Sequence, residues 1–266
     1  MRASGASIGF VPTMGALHRG HETLMQIAVQ ENQAAVLSIF VNPTQFNVVE
    51  DFDKYPRTFD ADAEIAKECQ IDVVFAPEIS SMYPSTASVA VHAGTAAQGM
   101  EGQMRPGHFD GVTTVVTKLF NIVLPHRAYF GKKDYQQLAV IRQMVTDLNF
   151  SLSIVGVNTV REDDGLALSS RNVRLTDTNR KDAVAISQGL FAAEKLHKSG
   201  ITDANVLTSS VTNAISSTHS GRIEYVQICD PDSLQPVSDT RHGAVICAAV
   251  WYGDVRLIDN IELSSF

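Results

Sequence analysis

Two imidazoles, His18 and His21, stand three residues apart in FVPTMGALHRGHETLM (residues 10–25), with Gly20 between them and Pro12 and Gly15 upstream. An apolar run meets turn formers there and gives way to an amphipathic segment, the pattern of a strand that turns into a helix. The first turn of a helix offers unpaired backbone N–H groups and the positive end of the helix dipole, so it favours an anion. His18 and His21 would share one face of that turn and donate hydrogen bonds to a phosphate, while Gly20 would let the phosphate approach the backbone. A surface pair, or two ligands of a metal, would use the same residues. Neither HExxH spacing nor a nearby cysteine accompanies them, which disfavours metal.

Further polar groups follow. In FVNPTQF (40–46), Asn42-Pro43 is a strong turn signal, and Gln45 is either a neutral amide for a substrate hydroxyl or carboxylate or an exposed loop residue. In FGKKDYQQL (130–138), Gly131, Lys132, Lys133, Asp134 and Gln137 gather where a strand meets a helix. A lysine there can neutralise phosphate charge and Asp134 can hold a nucleotide or Mg²⁺, although GKKD alone could be a solvated turn. LSSRN (168–172) follows the acidic turn REDDG, and its two hydroxyls and Arg171 guanidinium suit a mobile loop that closes on triphosphate oxygens. RPGHF adds Arg105 and His108; KYPRTFDAD adds Tyr55, Asp60 and Asp62, whose acids either belong to a site or complement the dipole at a helix start.

The elements that must position these residues are legible in outline. SIGFV, AAVLSIFV, IDVVFA, RAYFG and LSIVGV read as strands, and residues such as Val112, Val115, Val116, Leu119, Phe120 and Val123 recur at helical spacing between them. Apolar strands alternating with helices imply an α/β fold, a Rossmann-like doubly wound parallel sheet whose ligands bind at the carboxyl ends of the strands. After SSRN, DTNRKDAVAISQGLFAAEKLHKSG reads as a helix closed by Gly200, a second helix runs from about Asp203 to Ser217, and two β-rich runs, IEYVQICD and AVICAAVWYGDVRLIDNIEL, end the chain. Residues 1–161 are therefore expected to form the larger domain. Residues 162–266 form a smaller C-terminal α+β domain that packs around a shared cleft and closes over it.

A chain of 266 residues with 44% hydrophobic residues can bury a sizeable core, and a formal net charge of −8 lacks the footprint of a nucleic-acid binder. Cys69, Cys229 and Cys247 show no ligand spacing and read as reduced packing residues. The longest apolar stretch, AVICAAVWY, is far shorter than the roughly twenty residues of a membrane helix, and residues 1–7 show no signal-peptide pattern. The expectation is a soluble, cytoplasmic protein with no membrane or nucleic-acid partner.

The string PTMGALHRGH carries the His-x-Gly-His segment of the nucleotidylyltransferase superfamily and, more narrowly, resembles the pantothenate synthetases, the pantoate–β-alanine ligase family. FVNPTQF, DKYPRT, RPGHFDGVTTVV, FGKKDYQQL and VREDDGLALSSRN occur in that family's order along nearly the whole chain. The resemblance implies ATP-dependent condensation of pantoate with β-alanine through a pantoyl adenylate, giving pantothenate, AMP and pyrophosphate, with ATP as co-substrate, Mg²⁺, and a homodimer. It implies His21, His18, Lys133 and Arg171 as catalytic residues. ATP contacts would come from Met14, Gly15, Ala16, Leu17, His18, Arg19, Gly20 and His21, from Gly131, Lys132, Lys133 and Asp134, and from Val160, Leu168, Ser169, Ser170 and Arg171. Substrate contacts would come from Gln45, Gln137, Asn42, Tyr55, Arg105 and His108, and metal contacts from Asp62 and Asp134. A transferase that stops at a nucleotidyl product is the nearest rival, and the Gln45–Gln137 pair favours a small polar acid as acceptor instead. One departure stands out: family members carry a short strand and helix before the strand leading into PTMG, whereas seven residues precede IGFV, so an edge element of the sheet is expected to be missing.

Overall fold

The structure, a computed structural model, describes residues 5–266. Residues 1–4 lie outside the described residues, and with them most of the polar start on which the expectations about a signal peptide and a missing edge element rest. The chain divides into two compact units, one running to Gly131 and then from Gln136 to Val157, the other made of Lys132–Tyr135 and Asn158–Phe266.

The first unit contains β1 (Ile8–Thr13), α1 (Arg19–Glu31), β2 (Ala34–Ile39), α2 (Val49–Asp53), α3 (Phe59–Glu68), β3 (Val73–Phe75), α4 (Ile79–Met82), α5 (Met100–Met104), α6 (His108–Val123), β4 (Arg127–Gly131), most of α7 (Tyr135–Asp147) and β5 (Ser153–Val157). Its five strands are all parallel, in the order β3-β2-β1-β4-β5. This is the expected doubly wound sheet. Strand β1 is apolar throughout its buried part because both faces are covered. Phe10 joins Phe120, Leu138 and Ile141 in one core, while Val11 joins Met25, Leu37 and Tyr129 in the other. The chain winds outward from β1 to β3 and then returns to β4 on the other side, so the winding reverses between β1 and β4, where this architecture opens its ligand crevice at the carboxyl ends.

The second unit packs α8 (Asp177–Lys198) and α9 (Ala204–Ser216) on an antiparallel sheet of β6 (Gly221–Cys229), β7 (Ala244–Tyr252) and β8 (Val255–Leu263). Each helix begins on a side-chain cap: the Thr176 hydroxyl accepts from the Asn179 N–H, and the Asp203 carboxylate from the N–H groups of Asn205 and Val206. The run AVICAAVWY is the central strand, which explains its unbroken apolar character. No helix among the described residues is long and apolar enough to cross a membrane.

Candidate active site

The histidine pair closes the head of α1. His18 is the N-cap, with extended backbone, and its Nδ1 accepts the Gly20 N–H at 3.1 Å, while the Nδ1 of His21 accepts the His18 N–H at 3.3 Å. This is a capping box built from imidazoles in place of the usual hydroxyl and carboxylate. The rings lie 4.1 Å apart, centre to centre. With each Nδ1 accepting, each neutral ring carries its proton on Nε2, so the caps fix the tautomer in which Nε2 is a donor. Gly20 differs from expectation here. A Cβ at Gly20 would come within 2.9 Å of the His18 ring, so the missing side chain makes room for the imidazole, and the Gly20 N–H that a phosphate would have met is already bonded to that ring.

The turn ahead of the pair bends through left-handed backbone at Gly15 (φ 83°) and Ala16 (φ 51°). Asp62, on the first turn of α3 and 2% exposed, holds it: one carboxylate oxygen accepts the Ala16 N–H at 3.0 Å and the other the Leu17 N–H at 2.8 Å, with the Thr58 hydroxyl on the first oxygen at 3.1 Å. A carboxylate so occupied anchors the turn, with each of its oxygens accepting a backbone N–H. Asp60, two residues earlier, is exposed. Met14, Ala16, Leu17 and the two histidines are half-buried, and Arg19 faces solvent.

A second polar group in the same unit surrounds the turn Pro43–Gln45. Asn42, 1% exposed, donates to the Gln45 side-chain oxygen at 3.0 Å and to the Gly111 carbonyl at 3.1 Å, and accepts from the Tyr83 hydroxyl at 2.8 Å. The Gln45 Nε2 donates to the Met14 sulfur at 3.1 Å. His108 Nδ1 donates to the Gln45 carbonyl at 2.8 Å, which leaves its Nε2 to accept from Arg105 at 3.3 Å, and Arg105 also donates to the Gln45 carbonyl. Gly111 is what lets α6 meet this turn, because a Cβ there would sit 2.4 Å from the Thr44 carbonyl oxygen. Tyr55 stacks edge-on against Phe46, the residue after the turn.

In the second unit, Lys132–Asp134 forms a single tight turn. Lys132 is paired with Glu262, which also accepts from the Tyr135 hydroxyl at 3.1 Å. Lys133 lies 3.7 Å from the half-exposed Asp134 carboxylate. Asn260 donates to the carbonyls of both Lys132 and Lys133 at 2.8 Å. The hairpin leading to LSSRN is closed by the Leu168 N–H on the Val160 carbonyl at 2.9 Å, and beyond it the Ser169 hydroxyl accepts the Arg171 N–H at 3.2 Å. Ser170 and Arg171 are exposed.

The family model for pantoate-beta-alanine ligase matches residues 1–262. The chain belongs to the pantoate-beta-alanine ligase family. The pantothenate synthetase of Sulfurihydrogenibium sp. (strain YO3AOP1) is 48% identical over 263 residues, 98% of this chain and 94% of that protein. That of Aquifex aeolicus (strain VF5) is 49% identical over 265 residues, 99% of this chain and 94% of its own. Among solved structures, the pantothenate synthetase from Thermus thermophilus has a TM-score of 0.93 at 45% identity, covering 97% of this chain and 94% of that one. A Francisella tularensis pantoate-beta-alanine ligase, complexed with beta-gamma ATP and beta-alanine, has a TM-score of 0.77 at 36% identity, covering 97% and 90%.

Within this pantoate-beta-alanine ligase fold the residues marked by sequence fall into two sets. The first unit joins Met14, Asn42, Gln45, Arg105 and His108 by direct hydrogen bonds, and separately the histidine pair with its turn. The second unit holds Lys132, Lys133, Asp134, Val160, Leu168, Ser169, Ser170 and Arg171. Asp62 and Asp134, the expected metal pair, belong to different units, and among the described residues no three His, Cys, Asp or Glu side chains gather as a metal site. The adjacent glutamines of α7 differ: Gln136 is buried and spans the Glu101 N–H and the carbonyls of Ala96 and Gly99, whereas Gln137 is half-buried. Asn260 and Glu262 lie outside every motif, whereas Gly111 and Asp62 lie within RPGHFDGVTTVV and KYPRTFDAD, whose spacing does not reveal their backbone partners. Cys69, Cys229 and Cys247 are buried thiols outside any disulfide, with burial pushing Cys229 up to about 11.

Proposed function

We infer that this chain condenses pantoate with β-alanine at the expense of ATP, giving pantothenate, AMP and pyrophosphate through a pantoyl adenylate. The family match along residues 1–262 carries that reading. A carboxylate has no adequate leaving group for amide formation, which is why ATP is spent. An oxygen of the pantoate carboxylate attacks the α-phosphorus in line, and the bond to pyrophosphate breaks. The β-alanine amine then attacks the acyl carbon, AMP leaves with its electron pair, and the amine loses a proton. No covalent enzyme intermediate is needed, so the protein positions the reactants and offsets growing negative charge.

The caps support the roles of His18 and His21. The caps hold both rings in place before ATP arrives and orient their Nε2–H groups as donors, which suits them to stabilise charge on phosphate oxygens. Lys133 is the phosphate-directed lysine in this reading, because Lys132 is committed to Glu262. Ser169, Ser170 and Arg171, beyond the hairpin, complete the hold on the triphosphate. Gln45 serves pantoate: its Nε2 donor rests on a thioether, a weak acceptor that a substrate oxygen readily replaces. Gln137 is the second pantoate amide, with Tyr55, Arg105 and His108 shaping the pocket.

Mg²⁺ belongs to the same reading. Asp134 is the carboxylate suited to join phosphate oxygens in holding it, and the ion would neutralise triphosphate charge. A homodimer and a cytoplasmic setting complete the proposal; buried thiols outside any disulfide are consistent with the latter. Incubation with ATP, Mg²⁺, pantoate and β-alanine should yield pantothenate and AMP. ADP as the nucleotide product, or no amide, would refute the assignment.

A further inference from the structure

The Asp259–Asn260 pair of β8 lies far in sequence from every motif, yet its side chains reach two of them. Asn260 is buried, and its amide nitrogen donates to two successive carbonyls, Lys132 and Lys133, each at 2.8 Å. The turn runs straight into α7, and an asparagine in a strand gives up β-propensity to bond two of its carbonyls. Asp259 is 3% exposed; it accepts the Asn260 N–H at 2.8 Å and forks with Arg161 at 2.7 and 3.0 Å. Arg161 in turn donates to the Gly165 carbonyl at 3.0 Å, inside the hairpin that ends at Leu168, and lies over the Phe191 ring. A continuous polar chain therefore runs from the Lys133 backbone through Asn260, Asp259 and Arg161 to the hairpin that carries Ser169, Ser170 and Arg171.

We propose that Asn260, backed by Asp259 and Arg161, is a positioning residue: it fixes the Lys132–Lys133 backbone so that the Lys133 ammonium is presented to ATP phosphates in register with the Ser169–Arg171 loop. This rests on the phosphate role of Lys133 proposed above. Two further contacts favour a positioning role over simple packing. Glu262, two residues along the same strand, holds Lys132 and Tyr135, so β8 grips the turn at both its side chains and its backbone. Asn260 also spends both amide hydrogens on the turn and none on its own strand.

The test is pyrophosphate exchange into ATP with pantoate and Mg²⁺ present, comparing wild type, Asn260→Asp, Asn260→Ser and Lys133→Ala, with thermal unfolding of each. Asn260→Asp keeps the shape but turns two donors into acceptors facing carbonyls. It should raise the KM for ATP on the order of tenfold to a hundredfold, as expected when two hydrogen bonds that hold the turn are replaced by repulsion between oxygens, with the KM for pantoate little changed. Asn260→Ser should raise it less. Loss of folded molecules alone lowers the maximal rate and leaves KM where it was, so an unchanged KM for ATP in both variants, or failure of both to fold, overturns the proposal by making Asn260 a stability residue. If Lys133→Ala is impaired while Asn260→Asp keeps its KM for ATP, the positioning role alone fails. If Lys133→Ala exchanges label like wild type, the phosphate role of Lys133 fails and the inference falls with it.

Discussion

The Asp62 carboxylate accepts the Leu17 N–H at 2.8 Å across 45 positions of sequence. Its other oxygen holds Ala16, so one buried acid secures two successive backbone donors in a turn that passes through left-handed conformation at a non-glycine residue. Strain of that kind persists where surrounding bonds over-determine it.

Asp62→Asn should therefore lower both stability and adenylation. The amide keeps one acceptor but sets its NH₂ against a backbone N–H. A hydrogen bond to a charged group contributes about 1.5–3 kcal/mol, so a loss of that order is expected in denaturant unfolding. The Mg²⁺ concentration giving half-maximal activity should stay at the wild-type value. A marked rise in it would return Asp62 to the role of metal ligand.

The two glutamine positions of α7 should separate cleanly. Gln136→Ala leaves the Glu101 N–H and the carbonyls of Ala96 and Gly99 without their side-chain partner, so it should lower the unfolding temperature with little change in KM for pantoate. Gln137→Ala and Gln45→Ala should instead raise the KM for pantoate and spare that for ATP. Steady-state kinetics with each substrate varied would expose a reversed pattern, which would misplace the pantoate pocket.

How much of this was legible follows from the range of each signal. The strand β1, the turn formers after it and the histidines at the head of α1 are local, and periodicity and spacing found them. Gly20 is ambiguous in sequence because a bare backbone suits a phosphate and an imidazole equally, and the imidazole contact shows only in the capping geometry. Asp62 at a helix start looks the same whether it meets a dipole, a metal or a distant backbone. Asn260 is less visible still: its partners lie over 120 positions away and are main-chain carbonyls, which every residue possesses and no spacing betrays.

Acid should loosen the second unit. The Arg180 guanidinium bonded to Asp164 at 2.7 and 3.1 Å holds that carboxyl below its ordinary 3.8, and the Ser233 backbone N–H and hydroxyl do the same for Asp230. A carboxyl depressed in the folded state binds protons more weakly than in the unfolded chain. Its contribution is thus fully present above the ordinary value and fades as pH falls through 3.8 towards the folded value. Asp164 is partly exposed, so its share is modest. Asp164→Asn should flatten the decline in unfolding free energy across that acid window without changing its shape near neutrality. An unaltered acid slope in urea titrations would deny the pair this role.

The imidazole caps lead to the sharpest separation of structure from chemistry. At His21 the Nδ1 atom supports the helix by accepting the His18 N–H, while Nε2 is the donor assigned to phosphate. Asparagine places its oxygen near the Nδ1 position and glutamine its NH₂ near the Nε2 position. His21→Asn should keep the cap, hold the unfolding temperature near wild type, and lose pyrophosphate exchange on the order of 10²–10³, the usual effect of removing one preorganised donor. His21→Gln should give up some stability, about 1 kcal/mol for a lost cap, yet retain more exchange than the asparagine variant. If instead His21→Asn exchanges label faster than His21→Gln, the Nε2–H donor is not what the reaction uses and the tautomer set by the caps has no catalytic meaning.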